Sequence, residues 1–286
     1  MTDFDQKLAH LVAEAMAEDI GDGDHSTLSA IPADALGSAV LRIKEEGILA
    51  GVAVAEKIFR MKEAGVEFQA LKLDGERMQP GEEAFRVRAR VHTILQCERL
   101  VLNCMQRMSG IATLTRTYTD ILQPYHTRVL DTRKTTPNFR LLEKEAVRIG
   151  GGINHRFGLY DMIMLKDNHI DYAGGLEAAI ERAHHYVQTV KPGLKMEVET
   201  RNLDEVRRVV AMGRGKVFRI MLDNFTPALI SEALPLIDGL FETEASGGIN
   251  LTNLEAYAKT GVDYVSVGAL IHQARSLDLS LKAIQQ

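Results

Sequence analysis

Two cysteines in 286 residues, no long apolar run and no surplus of basic charge narrow the field before any motif is read. Cys97 and Cys104 lie on one predicted helix. Their spacing there is roughly 10 Å, too far for a disulfide, so both are expected as buried free thiols. No apolar stretch reaches the roughly 18 to 20 residues that cross a bilayer, which argues against a membrane-spanning helix. Lys plus Arg number 34 against 39 Asp plus Glu, so the global basic field that drives nucleic-acid binding is missing. The opening residues Met1-Thr2-Asp3-Phe4-Asp5 lack the basic-then-apolar order of a signal peptide. The expectation is a soluble cytoplasmic protein that takes neither nucleic acid nor membrane as a partner. Its length suits one large domain, or a large and a small one.

What is present is ordered in two styles. Over the first hundred or so residues helices and strands are mixed. Phe4, Leu8, Leu11, Val12 and Met16 keep helical spacing, and the polar turn Asp19–Asp24 ends that helix. That turn has the look of a calcium loop but carries Ala30 where the closing acid belongs, so it is read as a turn. Strands are predicted at Val40–Ile43 and Gly47–Ala50, and a helix over Val52–Met61. Phe85, Val87, Ala89 and Val91 alternate with Arg86, Arg88, Arg90 and His92, which gives a strand with one apolar and one basic, solvated face. Leu95–Ile121 reads as a long helix with a break or bend at Ser109-Gly110.

Beyond this point the pattern repeats. Short apolar runs stand at 128–130, 162–165, 196–198, 218–222, 240–241 and 264–267. Helical periods at 141–149, 176–187, 203–212, 227–236 and 251–260 follow most of them. About six β-α units of this kind predict a parallel sheet buried on both faces. Polar residues recur at the C-terminal end of nearly every strand, where α/β barrels build their sites, whereas an open sheet would gather them at one switch point. A barrel is therefore preferred.

Three polar clusters carry most of the chemistry: Asp131–Pro137, Gly150–Arg156 and Lys166–His169. Together they hold Arg133, Lys134, His155, Arg156, Lys166 and His169 in segments rich in Gly, Asn and Thr. So many cations in an acidic protein need an anionic partner, and a small, highly charged substrate fits. His155-Arg156 suits forked recognition of a carboxylate or phosphate. Lys166 reads more simply as an anion-binding lysine than as a Schiff-base lysine, since Asp167 and nearby carboxylates keep it charged. Glu197 and Asp223, at neighbouring strand ends, suit Mg²⁺ held with substrate phosphates, although Glu197 and Glu199 share a face and the sequence alone does not choose between them. Glu244–Ile249 and Ser266–Leu270 are read as glycine-rich turns that open helices and grip a phosphate, or else simply as tight turns. Arg99 is by default a helix-surface arginine.

These segments in order resemble the quinolinate phosphoribosyltransferase family over essentially the whole chain. The matching runs are Glu98-Arg99-Leu100 through Ser109–Thr113, Asp131–Pro137, His155-Arg156, Lys166–His169, Glu197-Val198-Glu199, Leu222-Asp223-Asn224, Glu244–Gly248 and Val267–Leu270. The resemblance implies an N-terminal α/β sandwich-like domain over 1–110, an incomplete parallel α/β barrel over 111–273, and a C-terminal helix at about 274–286 that returns to the first domain. It implies a homodimer, or a higher assembly of dimers, whose sites combine both subunits. The implied reaction joins quinolinate to 5-phosphoribosyl-1-pyrophosphate with loss of CO₂, giving nicotinate mononucleotide for NAD synthesis. By the same resemblance Lys134, Lys166, Glu197 and Asp223 form the catalytic set, with Mg²⁺ on Glu197 and Asp223. Arg99, Thr132, Arg133, Lys134, His155, Arg156 and Lys166 hold substrate, and Ser246, Gly247, Gly248, Val267, Gly268 and Ala269 hold phosphate. The competing readings are a Schiff-base aldolase using Lys166, a transferase for another aromatic acid, and a non-catalytic phosphosugar-binding regulator.

Overall fold

The computed structural model describes residues 2–284. The chain opens with helices α1 (Asp3–Ile20) and α2 (His25–Ala30), then strands β1 (Leu36–Ile43) and β2 (Gly47–Ile48). Helix α3 (Val52–Lys62) and strands β3 (Glu67–Ala70), β4 (Arg77–Met78) and β5 (Glu83–Arg90) follow, then the 32-residue helix α4 (Val91–Leu122). A repeating part continues with β6 (Arg128–Leu130), α5 (Arg140–Ile149), β7 (Ile163–Leu165), α6 (Asp167–Ala173), α7 (Leu176–Thr189) and β8 (Met196–Thr200). It ends with α8 (Leu203–Met212), β9 (Arg219–Asp223), α9 (Pro227–Ile237), β10 (Glu242–Ser246), α10 (Leu254–Ala258), β11 (Tyr264–Ser266), α11 (Ala269–His272) and β12 (Leu279–Ala283).

Two compact units result. Of the described residues, one comprises 2–116, 135–151 and 270–284, the other 117–134 and 152–269. The first is built on an antiparallel sheet of order β12-β1-β5-β3. Alternation in β5 works as the sequence suggests: Phe85, Val87 and Ala89 are buried and Arg86, Arg88 and Arg90 exposed. Phe85 packs against Phe68 and Phe59, with ring centroids 4.6 and 6.1 Å away, which fastens α3 to the sheet. The C-terminal segment does return to this unit, but as strand β12 paired with β1, not as the helix expected at about 274–286; residues 285 and 286 lie outside the described residues. Leu277, Leu279 and Leu281 fall at period two and bury one strand face, a pattern read too readily as helical.

Helix α4 runs unbroken through Ser109-Gly110, where a break or bend was expected. Ser109 Oγ instead accepts the Ala50 N–H at 3.0 Å, and a Cβ on Gly110 would stand 1.8 Å from the Arg275 carbonyl oxygen. That glycine answers to close packing. Both cysteines lie on α4, buried and free, and burial pushes each thiol up to about 12.

The second unit is a six-stranded parallel sheet of order β6-β11-β10-β9-β8-β7. Among the described residues β6 and β7 do not pair, and beyond β6 there is only the bridge between Leu130 and Ile153. The barrel is thus incomplete, as expected. Strand β10 lies at 242–246 and not at 240–241, so Glu242 and Glu244 sit within the strand and not after it. Its polar alternation hid it, because the acids that would mark a loop are matched here by buried cations. Helix α6, which follows β7 directly, has no counterpart in the predicted elements. No helix of the structure is long and apolar enough to cross a membrane.

Candidate active site

The C-terminal ends of the parallel strands carry the polar residues. Past β6, Asp131 is buried, and its Oδ1 accepts the His155 N–H at 2.8 Å, tying two of the cationic segments together. Thr132 Oγ1 accepts the Lys134 N–H at 3.0 Å and fixes the turn that leaves Arg133 and Lys134 exposed. Arg156 is partly buried and anchored by Nη1 on the Met162 carbonyl at 3.1 Å. Burial and then the charge of Arg133 hold its guanidinium below the usual range, so these two arginines stand close enough to repel. An anion between or before them would relieve that repulsion.

Past β7, Lys166 is exposed, and its Nζ donates to Glu199 Oε2 at 3.0 Å. An ammonium already engaged by a carboxylate suits anion binding better than Schiff-base chemistry. Lys166 N–H donates to His169 Nδ1 at 3.1 Å, so His169 serves the first turn of α6.

All five residues of β8 are buried. Glu197 and Glu199 share the face that looks into the barrel, but at different depths. Glu197 is in register with Arg219, and Asp223 lies four residues further along β9, about 13 Å of strand. The structure therefore does not bring Glu197 and Asp223 to one level. Glu199 stands one layer nearer the strand ends, in register with Met221 and beside Lys166.

Glu197 instead belongs to a buried ionic cluster. His155 Nε2 lies 3.1 Å from Glu197 Oε2 and 3.4 Å from Glu244 Oε2, with both carboxylates fully buried. Arg219 donates from Nη1 to Glu244 at 3.0 Å and from Nη2 to Glu242 at 2.7 Å, and its guanidinium lies 4.3 Å over the Tyr264 ring. Burial works to lower the His155 pKa, but the two carboxylates outweigh it and raise it to about 9. Burial, then the charge of Glu244, pushes Glu197 up to about 7, while His155 and Arg219 hold Glu244 low against its burial. Neither Arg219 nor the depth of this cluster was foreseen. The signal was there in the alternation Arg219-x-Met221-x-Asp223, which puts three residues on one face.

Past β9 and β10, Asn224 and Gly247 meet. Asn224 has φ 57°, and its N–H donates to the Ser246 carbonyl at 2.7 Å. Gly247 has φ 101°, and a Cβ there would stand 2.2 Å from Asn224 Oδ1. The expected phosphate grip is corrected in one respect: Gly247 and Gly248 end a strand and do not open a helix, since α10 starts only at Leu254. Val267 and Gly268 do lead into a helix, the four-residue α11 that begins at Ala269. Ser246, Val267, Gly268 and Ala269 lie at the same strand ends as Asp223. Arg99 is exposed on α4 and belongs to the first unit.

Comparison with known proteins gives this geometry its context. Residues 24–109 match the N-terminal domain of quinolinate phosphoribosyl transferase, and residues 111–282 match its C-terminal domain. The chain is 43% identical to quinolinate phosphoribosyltransferase (decarboxylating) 1b of Nicotiana tabacum, covering 96% of this chain and 82% of that one. It is 41% identical to the probable nicotinate-nucleotide pyrophosphorylase (carboxylating) of Synechocystis sp., covering 94% and 90%. The solved structure of NadC from Streptococcus pyogenes superposes with a TM-score of 0.90 at 39% identity, covering 100% of this chain and 99% of that one.

Proposed function

Because the chain belongs to the quinolinate phosphoribosyl transferase family, we propose that it makes nicotinate mononucleotide from quinolinate and 5-phosphoribosyl-1-pyrophosphate, releasing pyrophosphate and CO₂. It is a pentosyltransferase of pyridine-nucleotide synthesis. The observation that carries the reading at the level of the site is the cationic group Arg133, Lys134, Arg156 and Lys166 at the strand ends of an otherwise acidic chain. Quinolinate brings two carboxylates and its cosubstrate a phosphate and a pyrophosphate, which match that charge.

We assign the acid's carboxylates to Arg133, Arg156 and Lys166, with Arg99 as a further ligand. Lys134 and Thr132 lie toward the ribose, and the segments 246–248 and 267–269 take the 5-phosphate. Charge is stabilised as pyrophosphate leaves the ribosyl carbon, and the pyridine nitrogen is held behind that carbon, so no protein nucleophile is needed. On decarboxylation the electron pair of the broken bond stays at the ring carbon next to the positive nitrogen, and that carbon then takes up a proton.

Magnesium is part of the proposal. Asp223 is only partly buried and offers hard oxygen donors at a strand end, and Glu199 lies nearer that level than Glu197, which suits an ion that keeps several waters and binds substrate phosphates. Glu197, also expected in this role, has Arg219 and the His155 ring against its cluster, so we assign the metal to Glu199 and Asp223. Bound there, magnesium would neutralise charge on the departing pyrophosphate. A homodimer and a cytoplasmic location complete the proposal; two buried free thiols are compatible with a reducing compartment.

The test is formation of nicotinate mononucleotide from quinolinate, with nicotinate as the comparison acid. A mono-acid leaves a desolvated cation unpaired, so quinolinate is expected to be preferred by at least about 100-fold in kcat/KM. Equal efficiency with both acids would reject the reading.

A further inference from the structure

Arg107 on α4 and Glu143 in the first turn of α5 form an ion pair that no step of the proposed reaction uses. Their side chains are 22% and 0% exposed. Glu143 Oε1 accepts Nε and Nη2 of Arg107 at 3.0 and 2.9 Å and the Thr136 hydroxyl at 2.9 Å. Its Oε2 accepts the Thr136 N–H at 2.8 Å. Arg107 also donates from Nη2 to the Ile271 carbonyl at 2.7 Å and from Nη1 to the Ala274 carbonyl at 2.5 Å. Four of the five guanidinium N–H groups are committed in this way, which leaves too few for a forked grip on a substrate carboxylate. All of these residues belong to the first unit.

Each end of the pair holds a stretch of chain next to residues assigned to substrate. Thr136 follows Arg133 and Lys134 after a single intervening residue, Thr135, whose Oγ1 accepts Nε of Arg140 on α5 at 2.9 Å. The carbonyls of Ile271 and Ala274 lie at the C-terminal end of α11, where a helix leaves acceptors unpaired and a cation is favoured. Ala269, assigned to the 5-phosphate, begins that helix. An apolar pair of the same volume would fill the space at least as stably, but it would offer nothing to the Thr136 N–H or to the two carbonyls. Resting on the function proposed above, we infer that Arg107 and Glu143 are positioning residues that serve both substrate segments without touching either substrate. Through Thr136 the pair sets the run that presents Arg133 and Lys134. Through Ile271 and Ala274 it sets the short helix that continues the phosphate segment. Loosening one ion pair is then felt at two subsites.

The experiment compares Glu143→Gln, Arg107→Lys and Thr136→Val in the full-length protein, with thermal unfolding as the folding check and kinetics run well below each Tm. Two readouts separate the subsites. One is KM for quinolinate; the other is Ki of ribose 5-phosphate, which carries the 5-phosphate without the pyrophosphate, against the phosphoribosyl donor. Glu143→Gln weakens charge-assisted bonds to both segments and is expected to raise both constants ~10-fold. Arg107→Lys keeps the charge but not the fork, and is expected to raise Ki by ~10-fold. Thr136→Val leaves the pair intact and removes one of its two bonds to the acid segment, so KM for quinolinate should rise ~3-fold while Ki stays within ~2-fold. A role confined to stability predicts a lower Tm with both constants unchanged, and that result in Glu143→Gln overturns the inference. Should Glu143→Gln fail to fold, the other two variants carry the test, and the inference falls if either leaves its own constant unmoved. The unaltered protein in the same assay separates the two claims. No turnover there overturns the function itself and this inference with it, whereas turnover there beside unmoved constants in the variants overturns this inference alone.

Discussion

At the scale of single residues, the buried cluster makes a statement about stability. His155 titrates at about 9 in the folded protein against the usual 6.5, since Glu197 and Glu244 outweigh its burial. A raised folded value means that the folded state holds this proton more tightly than the unfolded state. The stabilisation is therefore complete below about pH 6.5 and is lost as pH rises through 9. A shift of this size is worth on the order of 3 kcal/mol. Glu197, pushed up to about 7, acts with the same sign over a lower window, from 4.5 upward. Urea unfolding from pH 6 to 9.5 is expected to show falling stability, and His155→Gln a flatter profile. Parallel profiles would mean that the cluster does not carry the effect. Nearer the strand ends, Asp223→Ala is expected to lower activity at least ~100-fold at saturating magnesium while quinolinate binding, followed by calorimetry, changes little. Full activity in excess chelator would remove the metal from the account.

At the scale of elements, most of the architecture could be read from periodicity, and the failures share a cause. Helices α5, α7, α8 and α9 and strands β6 to β9 fall within a few residues of where apolar spacing puts them. β10 was misplaced because Glu242, Thr243 and Glu244 read as loop, and their partners Arg219, His155 and Asp263 come from far along the chain. The roles of Glu197 and Glu199 were not separable for the same reason: period two gives the face, and only the register gives the depth. Local rules likewise read Ser109-Gly110 as a break or bend, whereas the helix continues through it. What Gly110 permits is the approach of the Arg275 carbonyl, 165 positions away and invisible to spacing. Gly110→Ala is expected to destabilise by at least about 3 kcal/mol, seen as a drop in Tm, because backbone and not a flexible side chain blocks the added methyl. A normal Tm would show that α4 can shift freely. Gly247→Ala tests the turn after β10. Its φ of 101° and the nearby Asn224 oxygen both oppose a side chain, so KM for the phosphoribosyl donor should rise while that for quinolinate holds.

At the scale of the whole molecule, the question is whether one chain makes a complete site. Leu95, Arg99 and Asn103 form an exposed stripe at helical spacing along α4, and among the described residues Arg99 has no ion pair or hydrogen bond. An arginine left open beside an exposed leucine suits a surface that a second copy covers. The reading in which Arg99 binds acid in a neighbour's barrel makes a prediction that a self-contained chain does not. Arg99→Ala and Lys166→Ala are each expected to abolish turnover as pure proteins. When the two are mixed and their chains exchange, mixed dimers gather both lesions into one site and leave the other intact. Activity should then return, toward about a quarter of that of the unaltered protein, since random exchange makes half the dimers mixed and each of these has one working site. If Arg99 serves its own barrel, every site in a mixed dimer carries one lesion and nothing is recovered. Exchange would be followed independently with two affinity tags, so that silence from the assay, with exchange proven, rejects the shared site.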